Sequence, residues 1–214
     1  MIITIDGPGG AGKSTVARRL AAATGCRFLD TGAMYRAVAY AYARQRPADL
    51  DAFLAGLSLD FSFDATTDVS LDGENISEKI RTPEIALLAS SLSQDPGIRS
   101  YLTRMQRQTA ESGGIVAEGR DTGSVVFPDA DIKFYLDADI AERARRRRAE
   151  LAAAGRHEDL GRIREEMERR DRADSERDIA PLVRPRDAVY VDTTGKTIDD
   201  VVAALEAQVR GALT

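Results

Sequence analysis

The chain carries a single cysteine, Cys26, so no disulfide can form within its 214 residues. That suits a reducing compartment, and a lone thiol beside an apolar strand is expected to be buried and structural. No stretch approaches the eighteen apolar positions that a membrane-spanning helix needs, and no charged-then-apolar leader opens the sequence. A soluble, cytoplasmic protein with no membrane partner is expected. Lysine is scarce: of thirty basic residues only Lys13, Lys79, Lys133 and Lys196 are lysines. The rest are arginines, whose planar fork suits two-point contacts to phosphate, although a compositional bias would give the same excess. The net charge of −5 argues against a general nucleic-acid binder, which is usually basic. His157 is the only histidine; it falls at the tip of a charged hairpin and reads as exposed and uninvolved. There is no internal repeat and no linker between separable halves. With 43% hydrophobic and 30% charged residues, the chain fits one globular domain, a monomer by default.

What is present is concentrated in the first fifteen residues, MIITIDGPGGAGKST. Ile2, Ile3 and Ile5 form a β-branched run of the kind that fills a central parallel strand. Gly7, Pro8, Gly9, Gly10, Ala11, Gly12, Lys13 and Ser14 then fit G-x-x-x-x-G-K-[ST], with a helix-forming segment over 14–23 after them. The glycines let main-chain N–H groups close on phosphate oxygens, where the helix N-terminus adds its positive end. Lys13 is placed to reach the β- and γ-phosphates, and the Ser14 hydroxyl to hold Mg²⁺.

After a short second strand at 27–30, Asp30-Thr31-Gly32-Ala33-Met34-Tyr35-Arg36 opens a helix to about Gln45. The end of a strand is where open α/β sheets bind ligands, yet pattern alone leaves Tyr35 and Arg36 equally readable as helix-surface residues. Strict alternation over Leu57–Phe63, then Val69, Leu71 and the turn Asp72-Gly73, predicts a small antiparallel β insertion. Thr82-Pro83-Glu84 starts a helix, Asp95-Pro96 breaks it, and a further helix over 98–111 carries Arg99, Arg104 and Arg107. Ile115–Glu118 is the next core strand, ending in a glycine-bounded turn, Gly119-Arg120-Asp121-Thr122-Gly123. A fourth core strand spans 132–136, with Asp137 or Asp139 capping the helix after it. Between Arg143 and Arg177 lie twelve arginines and nine acidic residues but few large apolar ones, a segment with little to bury that opens easily, as a lid must. A solvated charged hairpin accounts for most of these arginines. A last strand at 188–191 precedes a terminal helix capped by Thr197 and Asp200. The alternation implies an α/β fold: a doubly wound, five-stranded parallel sheet, expected in the order 2-3-1-4-5, with a β insertion and a helical, arginine-rich lid. The core is expected over 1–30, 113–140 and 186–214, an acceptor-binding region over 31–112 and the lid over about 143–180.

GPGGAGKS, DTGAMYR, the IRT ending the insertion, GRDTGSVVFPDA and RDRADSERDIAPL, in this order, resemble the bacterial-type cytidylate kinase family of nucleoside monophosphate kinases. The resemblance implies transfer of a phosphoryl group from ATP to CMP or dCMP, with Mg²⁺, between two small nucleotides and no nucleic acid. It assigns the ATP phosphates to Gly7 through Thr15. It places Thr31, Tyr35 and Arg36 at the acceptor site, with Arg36, Arg120 and Arg177 clamping the CMP phosphate and Arg81 supporting them. Ser90, Arg99 and Asp121 match positions that read the cytosine edge, and Arg170 and Asp174 positions near the sugar. Two other readings stand beside it: another small P-loop kinase, acting on AMP, dTMP or a small metabolite, and a nucleotide-dependent regulator. The absence of a cysteine-rich lid and of an N-K-x-D motif weighs against them, as the acidic balance does against an arginine-rich RNA binder.

Overall fold

The computed structural model describes residues 1–63 and 67–212; 64–66, inside the β insertion, and 213–214, at the end of the expected core, lie outside the described residues. The chain runs β1 (Ile2–Asp6), α1 (Lys13–Thr24), β2 (Arg27–Asp30), α2 (Thr31–Gln45), α3 (Leu50–Ala55), β3 (Leu59–Phe63), β4 (Thr67–Leu71) and β5 (Glu74–Asn75). It continues through α4 (Pro83–Leu92), α5 (Pro96–Glu111), β6 (Ile115–Gly119), β7 (Ile132–Asp137), α6 (Ile140–Ala153), α7 (Leu160–Glu176), β8 (Val189–Asp192) and α8 (Ile198–Ala212).

Five strands pair in parallel in the order β2-β6-β1-β7-β8, which is 2-3-1-4-5 when the parallel strands alone are counted. Successive side chains of a strand point to opposite faces, and β6 shows this directly. Val116 packs with Ile3, Ile5 and Phe134 against α1 and α8, whereas Ile115 and Ala117 pack with Leu29, Met34 and Leu102 on the other face, under α2 and α5. Each fully buried Ile, Leu or Phe contributes about 1.5–3 kcal/mol, so both faces of the central strands are anchored. The ends of β1, β2 and β6 are thereby held in register: Asp6 lies beside Gly119, and Asp30 beside Glu118. The insertion is a separate three-stranded antiparallel sheet, β3-β4-β5, whose Val69, Leu71 and Ile76 join the α2 side of the core.

Several local expectations shift. The strand of the insertion begins at Leu59, two residues later than the alternation suggests, and α5 begins at Pro96, because Asp95 accepts from Ile98 N at 3.0 Å and makes proline the first helical residue. Asp139 holds the N-cap position of α6 without a side-chain cap bond, while Asp137 Oδ1 accepts from the Ala138 N–H at 2.8 Å. Cys26 is half-buried and free, not fully enclosed. The glycine-bounded turn after β6 is wound into a π-helical turn, Thr122–Val126. Asp6 dictates that winding, accepting from Thr122 N at 2.9 Å, Thr122 Oγ1 at 2.7 Å and Gly123 N at 2.7 Å. Among the described residues, no helix is long and apolar enough to cross a membrane.

Candidate active site

The loop between β1 and α1 keeps three glycines at positive φ: Gly7 at 145°, Gly10 at 77° and Gly12 at 87°. At Gly7 the constraint is absolute, since a Cβ there would stand 1.9 Å from the Leu136 carbonyl oxygen. Gly12 caps α1 without a side-chain bond and the first turn holds no acidic residue, which leaves the helix's leading N–H groups available to an anion. Lys13 is buried and donates through Nζ to the Pro8 carbonyl at 2.7 Å. Burial pushes its ammonium down to about 7, with repulsion from Arg120 second, while Glu118 and Asp6 pull the other way. Negative charge brought to this lysine would favour its ammonium form further.

Across from the loop lies a cleft of about 230 Å³. Gly9, Gly10, Lys13 and Ser14 form one wall; Thr31, Tyr35 and Arg36 come from the start of α2, and Ser90 from α4. Arg99 of α5, Arg120 and Asp121 after β6, Arg170 and Asp174 of α7, and Arg177 at the end of that helix also line it. Gly7, Pro8, Ala11, Gly12 and Thr15 shape the loop without lining this cleft. Arg81 lies outside it, exposed at the end of a 3-10 turn, Lys79–Arg81.

Arg120 and Asp121, adjacent in sequence, do not pair with each other. Arg120 Nε reaches Asp174 Oδ2 at 2.9 Å. Asp121 is held between Arg99, which pairs with its Oδ2, and Arg177, whose Nη2 lies 3.2 Å from Oδ1. The Arg99 guanidinium also lies 5.8 Å from the Tyr35 ring centroid, and burial pushes the Tyr35 hydroxyl up to about 12. Arg36 Nη2 pairs with Asp30 Oδ2 at 3.1 Å, while its buried Nε has no hydrogen-bond partner among the described residues. Burial pulls the Arg170 guanidinium down, and Arg120 beside it adds to the fall. The cleft therefore gathers more guanidinium groups than its carboxylates balance, a setting that favours phosphate.

Three acidic residues of the site have roles that no motif assigned, although Asp30 opens the DTGAMYR stretch. Glu118, at the end of β6, accepts from Ser14 Oγ at 2.8 Å; burial, then the nearby Asp30, raises its pKa. Asp30 caps α2 by accepting from Ala33 N at 2.8 Å and also holds Arg36. Asp6 fixes the turn that follows Asp121. The only available signal is an acidic residue closing an apolar strand. The donors around Ser14 are oxygens, a hydroxyl and a carboxylate, which suits a hard cation such as Mg²⁺ that takes its other ligands from phosphates and water.

A glycine loop feeding an uncapped helix, a buried lysine on it and arginines over the carboxyl edges of a 2-3-1-4-5 sheet define the P-loop kinase class. The shikimate kinase of Bacteroides thetaiotaomicron shares this fold at 14% identity, with a TM-score of 0.50 over 98% of each chain. The sequence model of the family described as Cytidylate kinase matches residues 3–211. The cytidylate kinase of Geobacter sulfurreducens is 46% identical over 216 residues, spanning 98% of this chain and 93% of that one. That of Syntrophotalea carbinolica is 49% identical over 208 residues, spanning 94% and 88%. The chain belongs to the cytidylate kinase family.

Proposed function

We propose that the protein transfers the γ-phosphoryl group of ATP to CMP or dCMP, giving ADP and CDP or dCDP, in the cytoplasm and as a monomer. The observation that carries this reading is the single cleft that brings the phosphate loop to face Asp121 between Arg99 and Arg177. Cytosine offers an exocyclic amine that a carboxylate accepts, whereas uracil offers an acceptor oxygen at the same place. Asp121 reads that edge with Arg99 and Ser90, and Tyr35 and Thr31 line the acceptor nucleotide. Arg36, Arg120 and Arg177 clamp the acceptor phosphate, and Arg170 and Asp174 face the sugar.

An oxygen of the CMP phosphate attacks the γ-phosphorus as the bond to the β-phosphate bridging oxygen breaks, and that oxygen leaves on ADP. Negative charge spreads over the transferring group, so catalysis is alignment and cationic stabilisation by Lys13 and the arginines. Ser14, with Glu118 beside it, would hold Mg²⁺, which would supply charge neutralisation at the donor phosphates. The core over 1–30, 113–140 and 186–214 carries the donor loop, the region 31–112 the acceptor, and the lid at about 143–180 excludes water from both. An ADP-release assay across CMP, UMP, AMP and dTMP tests the assignment: CMP should be turned over best, and faster turnover of AMP or dTMP overturns it.

A further inference from the structure

Arg143, near the start of α6, has no place among the residues assigned above. Its side chain is 9% exposed and ties together three pieces of chain. Nε donates to the Ala138 carbonyl at 2.8 Å, and Nη1 donates both to the Gly9 carbonyl at 3.1 Å and to Asp171 Oδ2. The next residue of the loop presses on the same spot: a Cβ on Gly10 would lie 2.8 Å from Met167 Cε and 3.1 Å from Arg143 Cβ. The phosphate loop therefore rests directly on both lid helices.

The peptide joining Gly9 and Gly10 is planar and trans, so holding its carbonyl fixes the direction of the Gly10 N–H on the opposite side. Both glycines line the cleft. At the other end of the link, Asp171 follows Arg170, a cleft residue, and precedes by one helical turn Asp174, which holds Arg120. One guanidinium thus sets a phosphate-facing peptide of the donor loop and the helix that carries the lid's cleft residues.

We propose that Arg143 is a positioning residue that couples occupancy of the phosphate loop to the placement of α7, through Asp171. A nucleoside diphosphate that orders the Gly9–Gly10 peptide strengthens the bond to Arg143 and so draws α7 onto the site; by linkage, α7 in place favours the nucleotide equally. The inference rests on the loop as a nucleotide site, not on the identity of the acceptor.

Limited trypsin digestion with ADP as the probe tests it, because the lid's exposed arginines report its opening. Saturating ADP should slow cleavage within 143–177 by about tenfold or more in the wild type and in the exposed control Arg148→Lys. In Arg143→Lys and in Asp171→Asn the protection at saturating ADP should fall below about twofold, with cooperative thermal melts retained and KM for ATP raised more than KM for CMP. Arg143→Lys keeps the charge but cannot span three acceptors; should it fold poorly, Asp171→Asn carries the test. Undiminished protection in Asp171→Asn, or ADP binding to the wild type with no protection, overturns the proposal. A wild type that is protected by ADP yet inert toward CMP overturns the proposed function and leaves this coupling standing.

Discussion

Arg120 Nε stands 2.9 Å from Asp174 Oδ2, an ion pair that joins the loop after β6 to helix α7 across 54 residues of sequence. Both side chains are mostly enclosed, so the pair is not the weakly stabilising surface kind. Asp174→Asn removes the charge that orients Arg120 while keeping the shape. A charged hydrogen bond of this sort contributes about 1.5–3 kcal/mol, so kcat/KM for CMP should fall roughly 10–100-fold. Steady-state kinetics with a thermal melt on the same sample check it; a change within twofold would show that Arg120 is positioned by something else.

Asp121 sits under opposing demands, since it carries two arginines and, in the proposed reaction, accepts from cytosine. Asp121→Asn weakens both ion pairs, so turnover of CMP and UMP should both decline. The informative quantity is their ratio: an amide can turn its N–H toward the uracil oxygen, and discrimination of about 1–3 kcal/mol per base contact should largely disappear. A CMP/UMP ratio equal to wild type would place base reading on other residues.

The parts legible in the sequence are those whose chemistry acts between neighbours in the chain. The glycine loop, the Thr82-Pro83 and Thr197–Asp200 caps and the alternating insertion strands all declare themselves within a few residues. Glu118 with Ser14 and Asp6 with Thr122 are 104 and 116 residues apart, and no local pattern links them until the sheet sets Asp6 beside Gly119. The six-residue α3 is too short to show a helical period, and the π-helical turn exists because a buried carboxylate at the end of β1, 116 residues earlier, gathers its N–H groups. For the same reason Arg120 and Asp121, adjacent in sequence, take their partners from distant segments: Asp174 for the one, Arg99 and Arg177 for the other.

Lys13→Ala should divide activity from stability. The folded protein disfavours the lysine's charge, chiefly through burial, and among the described residues the side chain donates to the Pro8 carbonyl alone. Its removal relieves that penalty, so the melting temperature should hold or rise, while kcat falls by about 10²–10³ or more, as when one preorganised cationic or oxyanion donor is lost. Near-normal kcat would remove the lysine from the phosphate cradle.

Asp6 gives a pH signature. Burial raises its pKa above the usual 3.8 against the pull of three hydrogen bonds from Thr122 and Gly123. A carboxyl whose folded pKa is raised binds more protons folded than unfolded, so its contribution to stability is greatest at acid pH and declines as pH rises from about 3.8 through the folded value. Asp6→Asn deletes that dependence and also turns an N–H against the Thr122 or Gly123 donors, leaving one unsatisfied at about 1–3 kcal/mol. Urea unfolding of both proteins from pH 4 to 7 should therefore show the wild type more stable throughout, by a margin that shrinks as pH rises. A margin that grows with pH would mean that Asp6 ionises more readily in the folded protein than in the unfolded chain, and that the donors around it outweigh its burial.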